Sequence, residues 1–173
     1  MRNWDWKGRM RTGKSTTADL LVSQSPIPLK HINVGELVKE RHLHEKYDED
    51  WQSYIVDEDK VLDELEPCVA DGGVVLDWHT CDIFPERWID LVIVLRCDHT
   101  CLWDRLEKRG YSLKKIQENN ESEIMRVVLD EAREAYNPDI VIELQSETTG
   151  DLESNVNRII SWMEAWMRNN SDQ

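Results

Sequence analysis

Gly8-Arg9-Met10-Arg11-Thr12-Gly13-Lys14-Ser15 is the stretch on which the reading of this sequence turns. It fits G-x-x-x-x-G-K-[ST], a spacing in which each fixed position has a physical task. Glycines let consecutive backbone N–H groups curl around phosphate oxygens, a lysine reaches the β- and γ-phosphates, and a hydroxyl ligates Mg²⁺. Lys14 and Ser15 stand at the last two of these positions. A helix opening near Lys14 would aim its positive end at the same anion. Ser15–Val22 reads as that helix, with Ala18, Leu21 and Val22 available for packing.

Upstream the pattern weakens. Such a loop follows an apolar strand inside a sheet, but Met1-Arg2-Asn3-Trp4-Asp5-Trp6-Lys7 contains no Val or Ile. Trp4 and Trp6 would share one face of a short substitute strand. Arg9, Met10 and Arg11 are bulky where the loop needs backbone room, and a non-glycine residue forced to positive φ there costs about 1 kcal/mol.

Downstream, β-rich runs alternate with helical patterns. The runs are Leu29–Val34, Gly73–Asp77, Leu91–Leu95 and Asp139–Leu144. Near-continuous Val, Ile and Leu is expected of parallel strands buried on both faces. Helices are predicted over 14–24, 35–44, 57–71, 98–108, 112–136 and 150–168. Ile124, Val128, Ala132 and Ala135 fall on one face of the fifth; Val156, Ile159, Ile160, Met163 and Met167 do so in the last. Asp57 is a candidate N-cap, and Gly72 and Gly110 are candidate helix stops. The alternation predicts a three-layer α/β fold with a parallel sheet.

The 173 residues are expected to form a single domain, 1–173. There are 21 Lys and Arg against 35 Asp and Glu, a net charge of −14. That charge opposes binding to nucleic acid or anionic membranes, which needs clustered cations. No apolar run reaches membrane-spanning length. The four cysteines, Cys68, Cys81, Cys97 and Cys101, read as reduced thiols of an intracellular protein. Cys97 and Cys101 flank His99, but no second Cys/His pair has zinc-site spacing.

Several runs beyond the loop resemble the adenylate kinase isoenzyme 6 family, also called the coilin-interacting nuclear ATPases. They include Ile32-Asn33-Val34-Gly35-Glu36-Leu37, Asp57-Glu58-Asp59, Asp77-Trp78-His79, Asp82-Ile83-Phe84-Pro85-Glu86-Arg87-Trp88, Val94-Leu95-Arg96 and Arg109-Gly110-Tyr111. Phe84-Pro85-Glu86-Arg87 soon after Asp77-x-His79 is the most specific of them. The family's loop reads G-T-P-G-x-G-K-[ST]; here Arg9, Met10 and Arg11 replace Thr, Pro and Gly, and the departure ends abruptly at Thr12. That abruptness is expected of a replaced N-terminal segment rather than of gradual drift.

The resemblance implies a P-loop NTPase fold of the nucleoside monophosphate kinase type, with a five-stranded parallel sheet whose centre is the strand before the loop. Arg2–Lys7 should therefore either form a poor central strand or leave a gap. The acceptor-nucleotide segment is expected over about 33–56 and a short lid over about 108–118. Asp77 ends an apolar strand at the sheet's carboxyl edge, where α/β ligands bind. There it reads as an acid holding Mg²⁺ through water, together with Ser15.

Expected ATP-binding residues are Gly8, Arg11, Thr12, Gly13, Lys14, Ser15, Thr16 and Arg109. Asn33, Val34, Gly35, Lys39 and Arg87 are expected at the monophosphate acceptor. Lys14, Asp77, His79 and Arg109 are the catalytic candidates, with His79 orienting a water or a phosphate. Arg87 and Arg96, near strand ends, read as anion clamps or as structural salt bridges, and Arg105 is a weaker candidate beside Arg109.

By resemblance the activity is phosphoryl transfer from Mg-ATP to AMP or other nucleoside monophosphates, with ATP hydrolysis, in small ribosomal subunit maturation and 18S rRNA processing. Expected partners are these nucleotides and a basic small-subunit ribosomal protein, with no sequence-specific nucleic acid and no membrane. The chain is expected to be a monomer of the nucleus and cytoplasm. The alternative is a catalytically weakened assembly chaperone that grips the ribosomal protein.

Overall fold

The computed structural model describes residues 3–7, 12–48, 53–80 and 82–170. Gly8, Arg9, Met10, Arg11 and Cys81 lie outside them. Five parallel strands form the central sheet: β1 (Asn3–Lys7), β2 (Lys30–Asn33), β5 (Val74–Trp78), β6 (Ile89–Arg96) and β7 (Val141–Gln145). Their spatial order is β2-β5-β1-β6-β7. The backbone of β1 therefore fills the centre, with Trp4 opposite Val75 on one side and Leu91 on the other. The segment forms a strand rather than a gap, despite its lack of Val and Ile.

Strand alternation sends successive side chains to opposite faces. Val75, Leu91, Ile93 and Leu95 pack on α1 (Lys14–Gln24) and α7 (Thr149–Asn170), through Ala18, Leu21, Val156, Ile159 and Met163. Leu76, Val92 and Val94 face the opposite layer, α2 (Val34–Glu40), α3 (Glu58–Ala70) and α6 (Val127–Ala135). Val61, Leu65, Val128 and Leu129 carry that layer's packing. Every residue of β5, Asp77 included, is buried, as a central parallel strand requires. Among the described residues no helix is long and apolar enough to cross a membrane.

Three local expectations are corrected. The predicted helix 112–136 is two helices, α5 (Leu113–Ile124) and α6. Arg126 sits at φ 56°, a left-handed conformation that ends one helix and turns the chain into the next. Ile124 consequently leaves the apolar face and is 62% exposed, while Val128 and Ala132 stay buried. Val34 opens α2 instead of ending the strand, because Asn33 caps that helix by accepting a hydrogen bond from the Glu36 N–H. Finally, the segment 33–56 contains an antiparallel hairpin that the sequence reading missed, β3 (His44–Asp48) with β4 (Ser53–Val56).

Other signals fell where expected. Asp57 caps α3 by accepting from the Lys60 N–H, and Gly72 and Gly110 adopt positive φ just after helices. A short helix, α4 (His99–Glu107), ends before Gly110, and α5 begins at Leu113.

Candidate nucleotide site

The carboxyl ends of β2 and β5 place Asn33 and Asp77 side by side in register. Ser15, in the first turn of α1, lies against both. Its hydroxyl donates to Asp77 Oδ2. Asn33 Nδ2 donates to Asp77 Oδ2 at 3.2 Å and lies 3.3 Å from Ser15 Oγ. The Asp77 side chain is only 3% exposed, so these contacts replace the water it loses.

Lys14 is buried beside this cluster. Burial pushes its amine below the usual lysine range, and the Asp77 carboxylate partly opposes that. A buried cation near a carboxylate and a hydroxyl is well matched to an arriving anion. Gly13, just before it, takes φ 84°, and a Cβ there would meet Ser146 Oγ at 3.1 Å. Glycine is needed at that position for both reasons. Thr17 locks the turn from within the helix, its Oγ1 donating to the Gly13 carbonyl at 2.8 Å.

Two clefts meet here. One, of about 540 Å³, is lined by Gly13–Thr17, Arg105, Lys108, Arg109 and the segment 146–149. The other, of about 640 Å³, is lined by Lys14, Ser15, Asp77, Asn33, Gly35, Lys39, Tyr47 and Tyr54 among others. Lys14, Ser15 and Arg109 line both. Arg105 braces the first cleft, its Nη1 donating to the Ser146 carbonyl at 3.0 Å and its Nη2 to the Glu147 carbonyl at 2.7 Å.

The curated adenylate kinase isoenzyme 6 homologue of Schizosaccharomyces pombe is 54% identical over 162 residues, covering 94% of this chain and 91% of its own. The chain belongs to the adenylate kinase isoenzyme 6 family. The Dictyostelium discoideum homologue of that name is 48% identical, covering 95% of this chain and 93% of its own. The AAA domain family also matches, over residues 7–126. Among solved structures, shikimate kinase from Bacteroides thetaiotaomicron superposes with TM-score 0.65 at 15% identity, covering 94% of this chain and 98% of its own. Dephospho-CoA kinase from Campylobacter jejuni gives 0.54 at 12% identity, covering 94% of this chain and 98% of its own. These two likenesses show the P-loop kinase fold.

Membership of the isoenzyme 6 family implies nucleotide binding, and the residues fit Mg-ATP. A hydroxyl and a carboxylate are hard oxygen donors of the kind Mg²⁺ takes, and Ser15 and Asp77 already touch. Thr12 is wholly buried, while Thr16 lines the first cleft. Gly35 and Lys39 line the second, and so does exposed His79, whose ring packs edge-on against Trp78 with centroids 4.1 Å apart.

Three candidate residues line neither cleft: Val34 and Arg87 of the expected acceptor set, and the strand-end Arg96. Val34 is fully buried in the core and lines neither cleft. Arg87 is 72% exposed, lies 3.9 Å from Glu66 and does not line either cleft. Arg96 is held by Glu123 and Glu143: Nε and Nη2 bond the Glu123 carboxylate and carbonyl, and Nη1 bonds Glu143 Oε1 at 3.0 Å. Both arginines took the ion-pair role. Their position near strand ends could not reveal which carboxylates would meet them.

The sequence reading also missed His31. Its Nδ1 lies 2.7 Å from Asp19 Oδ1, and its Nε2 lies 3.7 Å from Asp77 Oδ2. The Asp77 carboxylate foremost, with Asp19 beside it, raises the imidazole above its ordinary value against the pull of burial. One signal was available: His31 is two residues before Asn33 on a strand, and therefore shares its face.

Proposed function

We propose that this chain is a Mg-ATP-dependent nucleoside monophosphate kinase of broad acceptor specificity, with accompanying ATP hydrolysis. The observation that carries this reading is the pair of clefts meeting at Lys14, Ser15 and Arg109. Two ligands lying end to end would present their phosphates to the same three side chains. Phosphoryl transfer needs little covalent chemistry from the protein, so positioning and charge stabilisation suffice.

In this reading the first cleft takes ATP and the second takes AMP or a related monophosphate. Lys14 and Arg109 hold the charge on the transferring group, and Arg109 sits where a short lid over 108–118 would close. Asn33 fixes the Asp77 carboxylate beside Ser15. His79, on the acceptor side, orients a water or a phosphate, and Lys39 holds the acceptor's phosphate. When bound, Mg²⁺ supplies charge neutralisation between phosphate oxygens.

We place this activity in small ribosomal subunit maturation in the nucleus and cytoplasm, beside a basic small-subunit ribosomal protein. The net charge of −14 supports an encounter steered by electrostatics, which would weaken as salt rises. The test of the enzymatic reading is a Mg-ATP plus AMP assay for ADP. ADP formation dependent on AMP is the expected result. Mg-ATP binding by calorimetry without any transfer would overturn it.

A specific feature favours a second reading. Arg9-Met10-Arg11 stands where the family's loop has Thr, Pro and Gly. A chaperone that binds ATP weakly would carry such a loop. Replacing all three (Arg9→Thr, Met10→Pro, Arg11→Gly) is expected to tighten Mg-ATP binding. Unchanged binding after that repair would remove the loop as the cause.

A further inference from the structure

Two aromatic side chains of the hairpin line the second cleft, and a strand irregularity sets them in place. Residues an odd number apart on a regular strand point to opposite faces, so His44 and Tyr47 should diverge. The register of β3 against β4 shifts between His44 and Lys46, consistent with an extra residue at Glu45. Such a bulge returns the following side chains to the face they would otherwise leave. His44 and Tyr47 consequently flank the same ring. Tyr54 lies opposite Tyr47 in register, with centroids 5.1 Å apart and planes at 67°. His44 also packs on the Tyr54 ring, with centroids 4.3 Å apart and planes at 34°.

Tyr47 and Tyr54 line the cleft together with Val38 and Val56, yet remain 49% and 36% exposed. Lys14, Ser15 and Asp77 line the same cleft. One ligand in that cleft therefore has both charged groups and aromatic faces to meet.

We infer that Tyr47 and Tyr54 are the specificity-determining wall for the acceptor's base, and that His44 is a positioning residue that fixes the Tyr54 ring. This rests on the monophosphate-kinase reading of the same cleft and names how the acceptor is recognised. The ligand class is a phosphomonoester joined to a planar heteroaromatic ring. Recognition is by ring face, because stacking serves every base, whereas hydrogen-bonding at the base edge would select one. A purine, with the larger face, is favoured over a pyrimidine. The bulge is the built part: without it, His44 would turn away and Tyr54 would lose its backing.

Calorimetry of AMP and of ribose 5-phosphate, which has the same phosphate and sugar but no base, separates these contributions without needing turnover. Wild type is expected to favour AMP by tenfold or more, on the order of one or two aromatic stacks. Tyr54→Ala and Tyr54→Leu should each cut that preference about tenfold and leave ribose 5-phosphate affinity within about twofold. Tyr54→Phe should keep the preference. His44→Ala should cost about threefold in AMP affinity, and His44→Phe, which restores a backing ring, should recover it. Circular dichroism would establish that each variant is folded. Equal wild-type affinity for the two ligands, no binding of either, or an undiminished preference in folded Tyr54→Leu would overturn the inference. A base preference that vanishes in Tyr54→Leu, in a protein that transfers no phosphate, would sustain the wall and sink the kinase reading.

Discussion

Two buried charge clusters lie along one edge of the sheet, and they are finished differently. At the end of β6, Arg96 gives Nε, Nη1 and Nη2 to Glu123 and Glu143, and Glu123 also accepts from the Cys97 N–H at 3.3 Å. At the end of β5, the Asp77 carboxylate is held by neutral donors, Ser15 and Asn33, while burial depresses the nearby Lys14 amine. The first cluster is closed on itself and ties α5 to the sheet. The second borders open clefts and keeps its cation at a cost that an anion would relieve. Whether a charged group lines an open cleft thus separates ligand-facing from structural charge better than burial does.

The comparison can be broken most sharply at Lys14. Lys14→Met is expected to reduce phosphoryl transfer about a thousandfold, near 4 kcal/mol of transition-state stabilisation. Its urea midpoint should stay level or rise, because a buried cation is removed. A matching loss of stability would erase the distinction between the clusters. At Arg96 the order reverses. Arg96→Met should destabilise the fold by about 3 kcal/mol, since it strands Glu123, and the added change Glu123→Gln should recover part of that loss. Urea denaturation of the single and double variants reads this directly, and additive losses would refute the coupling.

A smaller effect sharpens the β5 side. His31 is raised above its ordinary value by Asp77 and Asp19. A raised folded-state pKa contributes stability that is present when the imidazole is protonated in both states. That contribution is lost as pH climbs through the folded-state pKa. Stability measured from pH 5 to 8 should therefore carry a downward slope from this residue, and His31→Gln should flatten it. An unchanged slope would remove His31 from the network. The least effect is expected at Arg87: Arg87→Ala should move stability by no more than about 0.5 kcal/mol, as for other exposed ion pairs, and leave the AMP Michaelis constant within about twofold. A larger rise in that constant would restore Arg87 to the acceptor side.

Residues 12–48 and 53–80 show how unevenly the sequence declared this arrangement. Gly13-Lys14-Ser15 and the apolar run ending at Asp77 were legible because backbone conformation and burial dictate their residue types. Asp57, Gly72 and Gly110 were legible as local stops and caps for the same reason. The Arg126 break was hidden, because no glycine or proline marks the residue that takes φ 56°. The hairpin at His44–Val56 was hidden as well. Its bulge breaks the alternation by which strands are recognised, and the sequence between its strands carries no Asn-Gly or Asp-Gly pair. Arg87 and Arg96 were placed correctly near strand ends, but their carboxylate partners come from 21 and 27 residues away in the chain, beyond any local pattern.

The central position of β1 also governs the order in which the molecule can be assembled. Asn3–Lys7 pairs with β5 and β6, whose nearest register partners are Val75 and Ile89. A ribosome therefore delivers the middle of the sheet long before either neighbour exists. The backbone donors and acceptors of β1 must wait until about ninety residues have followed, and closure of the sheet is a long-range step. Throughout that interval this segment's hydration holds its place, and a polar composition such as Asn3, Asp5 and Lys7 keeps a solitary strand in water rather than on other nascent chains.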